Sequence, residues 1–317
     1  MSQPRPHTLF SFGTLLDERV QTTLFGQAVP VSPASLTGHT TRPLPITDPS
    51  VIATSGIDVH LTLARERDAA VEGAVLHLTD HELAAADAYE VDDYARRRVL
   101  LASGEAAWAY LDARPLRPAA RIVIAGDGIA YGRCDPEGGW AARLAAAHIA
   151  ADEAGHRVFN VAVPGSTLID VSEQTPALLA ARRPDTLLVA AGIGDSACRL
   201  AAGPLAAEPA HAGWLERLGD GLAALAATAL SHSARLVVLG PTWVDESRTR
   251  DLGCLRFTHT GALALRESLR TWCVANHVDF LDMWAPLHDR PDLLADGLHP
   301  TPDGHRALYD HLAALAR

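Results

Sequence analysis

Residues 121–132 read RIVIAGDGIAYG, a short apolar strand that runs directly into a turn containing three glycines. From here to the C-terminus, apolar strand-like segments alternate with longer helix-like segments. This alternation predicts parallel strands joined by crossover helices that cover both faces of one sheet. Sites in such sheets lie beyond the carboxyl ends of the strands, which is where this turn falls.

The second half is therefore predicted to be a three-layer α/β/α domain over residues 121–317. We predict its strands at 121–125, 157–163, 186–191, 235–240 and 278–283, and its helices at 139–152, 171–182, 211–231, 258–276 and 302–316. Residues 114–120, RPLRPAA, are a proline-rich break and are predicted to form a linker.

The first half, residues 1–113, is predicted to be a small β-rich α+β domain. Short strand-like runs occur at 8–12, 58–63, 71–76, 97–101 and 106–111, and helical patterns at 17–25 and 80–88. The chain as a whole is thus expected to contain two unlike domains, the second of which is α/β.

Composition excludes several classes of function. Hydrophobic residues make up 48% and charged residues 21% of the 317 positions, which is typical of a globular protein. A net charge of −11 argues against nucleic acids and anionic membranes as partners. Because the N-terminus has no apolar signal segment and no apolar run approaches about 18 residues, we expect a soluble, cytoplasmic protein. A homodimer is compatible with the sequence.

No metal or cofactor is expected. The four cysteines lack CxxC spacing and the histidines are scattered, which predicts reduced thiols and no zinc site. The glycines of 126–132 imitate a dinucleotide-binding turn, but Tyr131 stands where the third glycine of that motif is required.

Four segments at predicted strand ends carry polar residues and glycines that point to chemistry: GDG at 126–128, PGS at 164–166, GIGDS at 192–196 and DGLHP at 296–300. In this order they resemble the SGNH (GDSL-type) hydrolase family across roughly residues 121–317. The resemblance implies that His299 is a general base, that Asp296 orients it, and that Gly165 donates a backbone amide to the oxyanion. It also implies a nucleophilic serine where Gly128 stands and an asparagine where Gly194 stands.

Acyl transfer by this family needs an activated hydroxyl and preorganised donors for the developing oxyanion. Gly128 removes the hydroxyl, and Gly194 removes a side-chain donor. Three interpretations stay open. In the first, the site is naturally altered, and it either uses His299 with Asp296 as a base or only binds its ligand. In the second, the chain is an inactivated variant of an active GDSL esterase. In the third, another residue replaces the serine.

The candidates for such a replacement are Ser166, Ser196 and Cys134, and we disfavour all three because none lies at the strand end that carries the nucleophile. The structural alternative for Asp296 and His299 is an ion pair that ties the last helix to the sheet. Asp127 is a candidate substrate contact, although a carboxylate beside a tight turn usually caps backbone amides. A non-catalytic binding module is the remaining alternative for this domain.

The first half carries a second set of motifs: FSFGTL at 10–15, VEGAV at 71–75, ADAYEVDDYAR at 86–96 and AWAY at 107–110. Together they resemble the γ-glutamylcyclotransferase-like (AIG2-like) family over residues 8–111. The resemblance implies that the loop of Gly13, Thr14 and Leu15 binds a γ-glutamyl head and that Glu90 is the general base. The family reaction cyclises the glutamyl group to 5-oxoproline and releases an amine, without metal or covalent intermediate.

Both roles have structural alternatives. Glu90 lies in an acidic segment and could be a solvated carboxylate, and Tyr94 could be a core aromatic rather than a substrate contact. The sequence as a whole favours a two-domain enzyme that tailors a small molecule, with a γ-glutamyl amine or an acyl ester or amide as its substrate.

Overall fold

The computed structural model describes residues 4–45, 59–200, 207–209, 213–249 and 255–316. The chain divides into two compact units, Met1–Ala119 and Ala120–Arg317. Within the described residues, no helix combines the length and apolar character needed to cross a membrane.

The first unit is a five-stranded sheet with two helices. Its elements are β1 (His7–Ser11), a 3-10 turn (Thr14–Leu16), α1 (Glu18–Phe25), β2 (Val31–Pro45), β3 (Val59–Leu78), α2 (Asp80–Tyr89), β4 (Tyr94–Leu100) and β5 (Ala106–Asp112). The strand order is β2-β3-β1-β5-β4, and only β1 and β5 pair in parallel among these strands.

Both faces of this sheet are covered. Successive residues of a strand point to opposite faces, and Phe10 and Leu9 of β1 enter two separate apolar clusters. The cluster around Leu9 contains residues of α1 and α2, whereas the cluster around Phe10 is built from strand residues. The mixed helix and strand content agrees with the predicted β-rich α+β class.

The pattern of residues 31–45 does not predict β2, because three prolines and a glycine interrupt it. The structure explains why a strand forms there. β2 is the edge strand of the sheet, where the missing proline N–H groups do not break an inner ladder. Its register shifts between Thr37 and His39, and Gly38 at that bulge has a φ of +72°.

The predicted strands 58–63 and 71–76 are one element, so the prediction of two strands is wrong. The charged segment between them resembles a loop in sequence, yet β3 runs through it without interruption from Val59 to Leu78. It pairs with β2 at residues 59–65 and again at 70–76, on both sides of the register shift. Residue 58 lies outside the described part.

The second unit contains the predicted parallel sheet. Its strands are β6 (Arg121–Gly126), β7 (Arg157–Asn160), β8 (Thr186–Ala190), β11 (Arg235–Leu239) and β13 (Asp279–Leu281), in the order β13-β11-β8-β6-β7 and all parallel. Its helices are α3 (Gly128–Tyr131), α4 (Gly139–Ala151), α5 (Leu168–Arg182), α6 (Trp214–Ser231), α7 (His259–Ala275) and α8 (Pro302–Ala316).

This topology places the candidate site. The order reverses at β6, because β7 lies on one side of it and β8 on the other. Ligand sites of open α/β sheets occur at such switch points. Helix α4 packs against α8, and α5 packs against α6.

Several boundaries differ from the predicted ones for local reasons. α5 begins at Leu168 because Thr167 and Asp170 form a capping box there. Strand β7 ends at Asn160, whose side-chain oxygen accepts from the backbone N–H of Ala162, although Val161 and Val163 still donate to carbonyls of β6. Three short strands that the sequence does not predict form a small antiparallel sheet: β9 (Cys198–Leu200), β10 (Ala207–Pro209) and β12 (Leu255–Arg256).

A buried ion pair ties two sheet strands together. Arg235 donates through Nε and Nη2 to the two carboxylate oxygens of Asp279 at 2.6 and 2.8 Å, and both side chains are about 95% buried. We expect Asp279→Ala to lower the free energy of unfolding by about 3–5 kcal/mol, since it removes the carboxylate partner of a buried guanidinium. Urea denaturation would measure the change.

The exposed pair of Arg290 and Asp292 provides the control for that measurement. Asp292→Ala removes the same kind of contact at a solvated position, so its unfolding curve should overlay that of the unchanged protein. Equal losses in both variants would show that burial does not set the contribution of the Arg235–Asp279 pair.

Candidate functional site

The turn after β6 presents residue 128 at the first position of a short helix. Asp127 caps α3, since its Oδ1 accepts from the backbone N–H of Ile129 at 2.9 Å. Burial raises the pKa of Asp127 to about 7, against the lowering effect of backbone hydrogen bonds from Ile129 and Ala130. The carboxylate therefore shapes the turn, and a direct role in substrate binding stays a prediction.

The Asp-x-x-His segment forms a hydrogen-bonded pair. Oδ2 of Asp296 accepts from Nδ1 of His299 at 2.7 Å, while Oδ1 accepts from the backbone N–H groups of Leu298 and His299 at 3.0 and 2.8 Å. Burial would raise the pKa of Asp296, but the hydrogen bonds from His299 and Leu298 hold it below its usual range. A charged carboxylate on Nδ1–H leaves Nε2 as the proton acceptor.

Residue 128 lies directly in front of that acceptor. A Cβ added to Gly128 would stand 3.2 Å from Nε2 of His299 and 3.8 Å from Cδ of Arg133. The sequence resemblance places a serine at this position, and the geometry shows that a side chain here would face the imidazole. A side chain at residue 128 would thus contact the imidazole of His299 and the aliphatic part of Arg133.

The loop that carries Asp296 and His299 is held by a residue that the sequence does not single out. Arg248 donates through Nη1 to the carbonyls of Pro291 and Leu294, at 2.8 and 3.1 Å, and through Nη2 to that of Ala295 at 2.7 Å. Gly297 has a φ of +88°, and a Cβ on it would lie 2.7 Å from the carbonyl oxygen of Asp245. An arginine far from any motif carries no sequence signal for such a role.

The other two glycine positions lie on neighbouring loops. Gly165 follows β7 with a φ of +88°, and a Cβ on Gly194 would lie 3.7 Å from the carbonyl oxygen of Ser166. Asp195 accepts from the backbone N–H of Leu168 at 2.9 Å, which joins the loop after β8 to the start of α5. A Cβ at 194 would therefore make only an ordinary van der Waals contact.

Of the three residues considered as substitutes for the serine, the structure brings one to the pair. The thiol of Cys134, a ring nitrogen of His299 and a carboxylate oxygen of Asp296 all lie within 4.8 Å of one another. Ser166 and Ser196 are buried, and Ser196 donates its hydroxyl to the carbonyl of Ile193 at 2.9 Å.

These same three groups are the one trio, among the residues that the structure describes, whose donor atoms are close enough to hold a metal ion. Their existing hydrogen bonds suit proton transfer better. The Nδ1–H of His299 already faces Asp296, and the second oxygen of Asp296 serves two backbone amides. A metal ion would have to displace that bond.

In the first unit, Glu90 lies at the C-terminal end of α2 and is half-buried. Burial raises its pKa to about 7, and the negative charge of Asp87 adds to the effect. Burial also raises the pKa of Tyr94 and of Tyr110, and in both cases the charge of Glu90 contributes. The three groups therefore share one environment.

Hydrogen bonds fix the aromatic side chains of this environment. The hydroxyl of Tyr94 donates to the carbonyl of Leu61 at 3.2 Å, and that of Tyr110 donates to Oδ1 of Asp87 at 2.9 Å. Arg96 donates to both carboxylate oxygens of Asp87, at 2.7 and 3.0 Å. Tyr110, Asp87 and Arg96 lie in the motifs quoted above but were not assigned a role, and the structure connects them to Glu90 through these contacts.

The predicted glutamyl loop follows β1. Gly13 and Thr14 are exposed, whereas the side chain of Leu15 is buried in the apolar cluster around Leu9. The backbone N–H of Gly13 donates to Oγ of Ser11 at 3.3 Å. The first N–H groups of the 3-10 turn have no partner within that turn and suit an acceptor from a ligand.

Family comparisons assign both units. A model of the GDSL-like lipase/acylhydrolase family matches residues 124–307, and a model of the AIG2-like gamma-glutamyl cyclotransferase family matches residues 9–127. The comparison with curated protein sequences finds no match.

Several solved structures are similar in fold. The psychrotrophic esterase EstA from Pseudoalteromonas sp. is 18% identical, with a TM-score of 0.46 over 61% of this chain and 94% of its own. LAE5, an alpha/beta hydrolase enzyme from the metagenome of Lake Arreo, is 20% identical, with a TM-score of 0.49 over 62% and 94%. The acetylxylan esterase Axe2 from Geobacillus stearothermophilus is 20% identical, with a TM-score of 0.48 over 62% and 94%.

Proposed function

Since the chain belongs to the GDSL-like lipase/acylhydrolase family, we propose that its second unit hydrolyses or transfers an acyl group with His299 as the general base. The observation that carries this proposal is the 2.7 Å hydrogen bond from Nδ1 of His299 to Asp296, with Nε2 facing residue 128. Because residue 128 is glycine, the nucleophile that His299 activates must come from elsewhere.

General-base catalysis needs an acceptor with a fixed orientation and an available lone pair. Asp296 supplies the orientation, and His299 itself is buried. Because residue 128 has no side chain, a nucleophile has room to approach Nε2. His299→Asn tests this proposal: it keeps a polar side chain with an amide near the position of Nδ1, removes the base, and should abolish turnover of p-nitrophenyl acetate above the buffer rate.

For the first unit we propose γ-glutamyl cyclotransfer with Glu90 as the base. In this reaction the α-amino nitrogen of the glutamyl group attacks its own γ-carbonyl carbon, a C–N bond forms, and the bond to the departing amine breaks. Glu90 takes a proton from the attacking nitrogen and returns one to the departing amine. The raised pKa of Glu90, about 7, suits both transfers near neutral pH.

The two proposals describe one small-molecule tailoring enzyme. A γ-glutamyl amide would lose its glutamyl group in the first unit, and an acyl ester or amide would react in the second. Support for linking them is the presence of two small-molecule families in one chain.

The pH dependence of 5-oxoproline release tests the role of Glu90. Only the deprotonated carboxylate accepts a proton, so kcat/KM is expected to rise with pH and to level off above the Glu90 pKa of about 7. If Glu90 were a solvated glutamate, the midpoint would instead lie at a pH of about 4.3. A midpoint below pH 5 would contradict the proposal.

Asp87→Asn separates the enzyme from the substrate as the origin of that midpoint. The charge of Asp87 contributes to the raised pKa of Glu90, so its removal should move the midpoint to lower pH. A midpoint that belongs to the amino group of the substrate would stay where it is.

A further inference from the structure

The loop between α3 and α4, residues 132–138, carries a cysteine in an unusual backbone conformation. Cys134 has a φ of +69°, in the left-handed region that favours glycine. Its side chain is exposed. Non-glycine residues in this region cost conformational energy and concentrate at functional sites, where the surrounding structure holds them in place.

The surroundings of Cys134 are rigid. Nε2–H of His305, from α8, donates to the carbonyl of Arg133 at 3.0 Å, and Nδ1 of the same ring accepts from the backbone of Trp140 at 3.3 Å. Asp135 is buried and pairs with Arg143 of α4. The residues before and after the cysteine are therefore both anchored to helices.

These anchors direct the thiol at the hydrogen-bonded pair described above. Its sulfur lies within 4.8 Å of a ring nitrogen of His299 and of a carboxylate oxygen of Asp296. We infer that the thiol of Cys134 is the acyl-accepting nucleophile of the second unit, with His299 as its base and Asp296 holding the imidazole. This inference rests on the acyl chemistry proposed above and names its nucleophile.

Glycine at residue 128 fits this arrangement. A side chain there would stand 3.2 Å from Nε2 of His299 and 3.8 Å from the side chain of Arg133, the residue before the cysteine. It would fill space next to Nε2, the atom that takes the thiol proton in this arrangement. With only a hydrogen atom there, the thiol can close the remaining distance to hydrogen-bond contact when a substrate binds.

The charges around Cys134 decide how it would react. Burial and the negative charge of Asp296 raise the pKa of its thiol, while Arg133 acts in the opposite direction. The resting group is therefore a thiol rather than a thiolate, and it needs His299 to remove its proton during attack.

The reaction balances with water as the co-substrate. The sulfur attacks the carbonyl carbon of an ester, an S–C bond forms, and His299 takes the thiol proton. The C–O bond of the ester then breaks, and His299 returns the proton to the leaving alcohol. Water activated by His299 hydrolyses the resulting thioester, which releases the carboxylic acid and restores the thiol.

Acyl trapping with p-nitrophenyl acetate tests this inference on the full chain. We expect a burst of p-nitrophenol and, after acid quench and proteolysis, an acetyl group on the peptide that contains Cys134. The sequence has no lysine, so amine side chains cannot produce a background of acetylated peptides. An acetyl group located only on another residue would overturn the inference.

Cys134→Gly is the decisive variant. Glycine accepts a φ of +69° without strain, so the variant should fold at least as well as the unchanged chain while losing the thiol. We expect its burst to vanish and its turnover to fall by at least about 10²-fold. Cys134→Ser keeps a side chain at this position and should also lose most of the burst.

Cys198→Ser is the matched control, since Cys198 is a free and partly exposed cysteine outside this cluster, and its burst should be unchanged. A metal chelator should also leave the burst unchanged. A burst that the chelator removes would assign the three groups to a metal ion and overturn the inference.

If His299→Asn stops turnover while Cys134→Gly does not, the acyl chemistry stands and the nucleophile is wrong. If His299→Asn has no effect on turnover, the proposed function itself fails.

Discussion

Gly128→Ser, introduced together with Cys134→Gly, is expected to raise the hydrolysis of p-nitrophenyl acetate by about 10³-fold over Cys134→Gly alone, which has no nucleophile at either position. A catalytic serine contributes about 10⁶ in rate, and the absence of one oxyanion donor costs about 10²–10³ of that. The Cβ of the new serine would stand 3.2 Å from Nε2 of His299, so the ring has to yield by a few tenths of an ångström. The new hydroxyl would then lie within reach of a base that Asp296 already orients.

The backbone favours this substitution. Residue 128 is the first residue of α3, and its φ is not in the left-handed region that restricts side chains. Adding Gly194→Asn should raise the rate by a further factor of about 10² if the amide reaches the oxyanion. A Cβ at 194 meets only the carbonyl oxygen of Ser166, at 3.7 Å, so the side chain has room.

Two further variants, both carrying Cys134→Gly, make the result interpretable. Gly128→Ala adds the Cβ without the hydroxyl and should show no gain. Gly128→Ser combined with His299→Asn should lose the gain, because the base is absent. A folded Gly128→Ser protein no faster than Gly128→Ala would favour a binding module over an acyl-transfer site.

Glu90→Gln is expected to slow the release of 5-oxoproline from a γ-glutamyl amide by about 10²–10⁴-fold. Glutamine has the shape of glutamate but cannot accept the proton of the attacking amine. Glu90 is half-buried beside Tyr94 and Tyr110, whose pKa values its charge helps to raise. A loss of this size with little change in KM would mark a group that acts in the transition state.

Glu105→Gln is the matched control for this measurement. Glu105 is an exposed glutamate of the same unit, at the turn before β5, and its amide variant should keep the full rate. Full 5-oxoproline release by Glu90→Gln would show that this carboxylate is a solvated surface group and that the first unit does not catalyse cyclotransfer through it.

The fold classes of both halves were predictable because their signals are local. Strand-like runs that alternate with helical ones specify crossover connections, and such connections produce a parallel sheet. The pairing of strands that are distant in sequence was harder to predict. Strand β2 contains three prolines that argue against a strand, and only its place at the sheet edge makes them acceptable. β3 continues through a charged segment, and it pairs with β2 on both sides of that segment.

The candidate sites divide in the same way. Asp296, His299 and Glu90 stand in short motifs whose spacing is visible in the sequence. Asp87 stands in the same motif as Glu90, but its hydrogen bond to Tyr110 forms only in the folded protein. Arg248 is an isolated residue, and no pattern along the chain distinguishes it from a surface charge.

For this protein, the sequence by itself determined two unlike halves, the families they resemble, and a base with its carboxylate but no serine at residue 128. The tertiary structure decided what faces that base. Gly128 leaves space beside it, and the thiol of Cys134 lies within 4.8 Å of His299 and Asp296. Periodicity and motif spacing report neighbours along the chain. Cys134 and His299 are 165 positions apart, and left-handed turns at Cys134 and Gly297, with helix α8 against the first loop, bring them together.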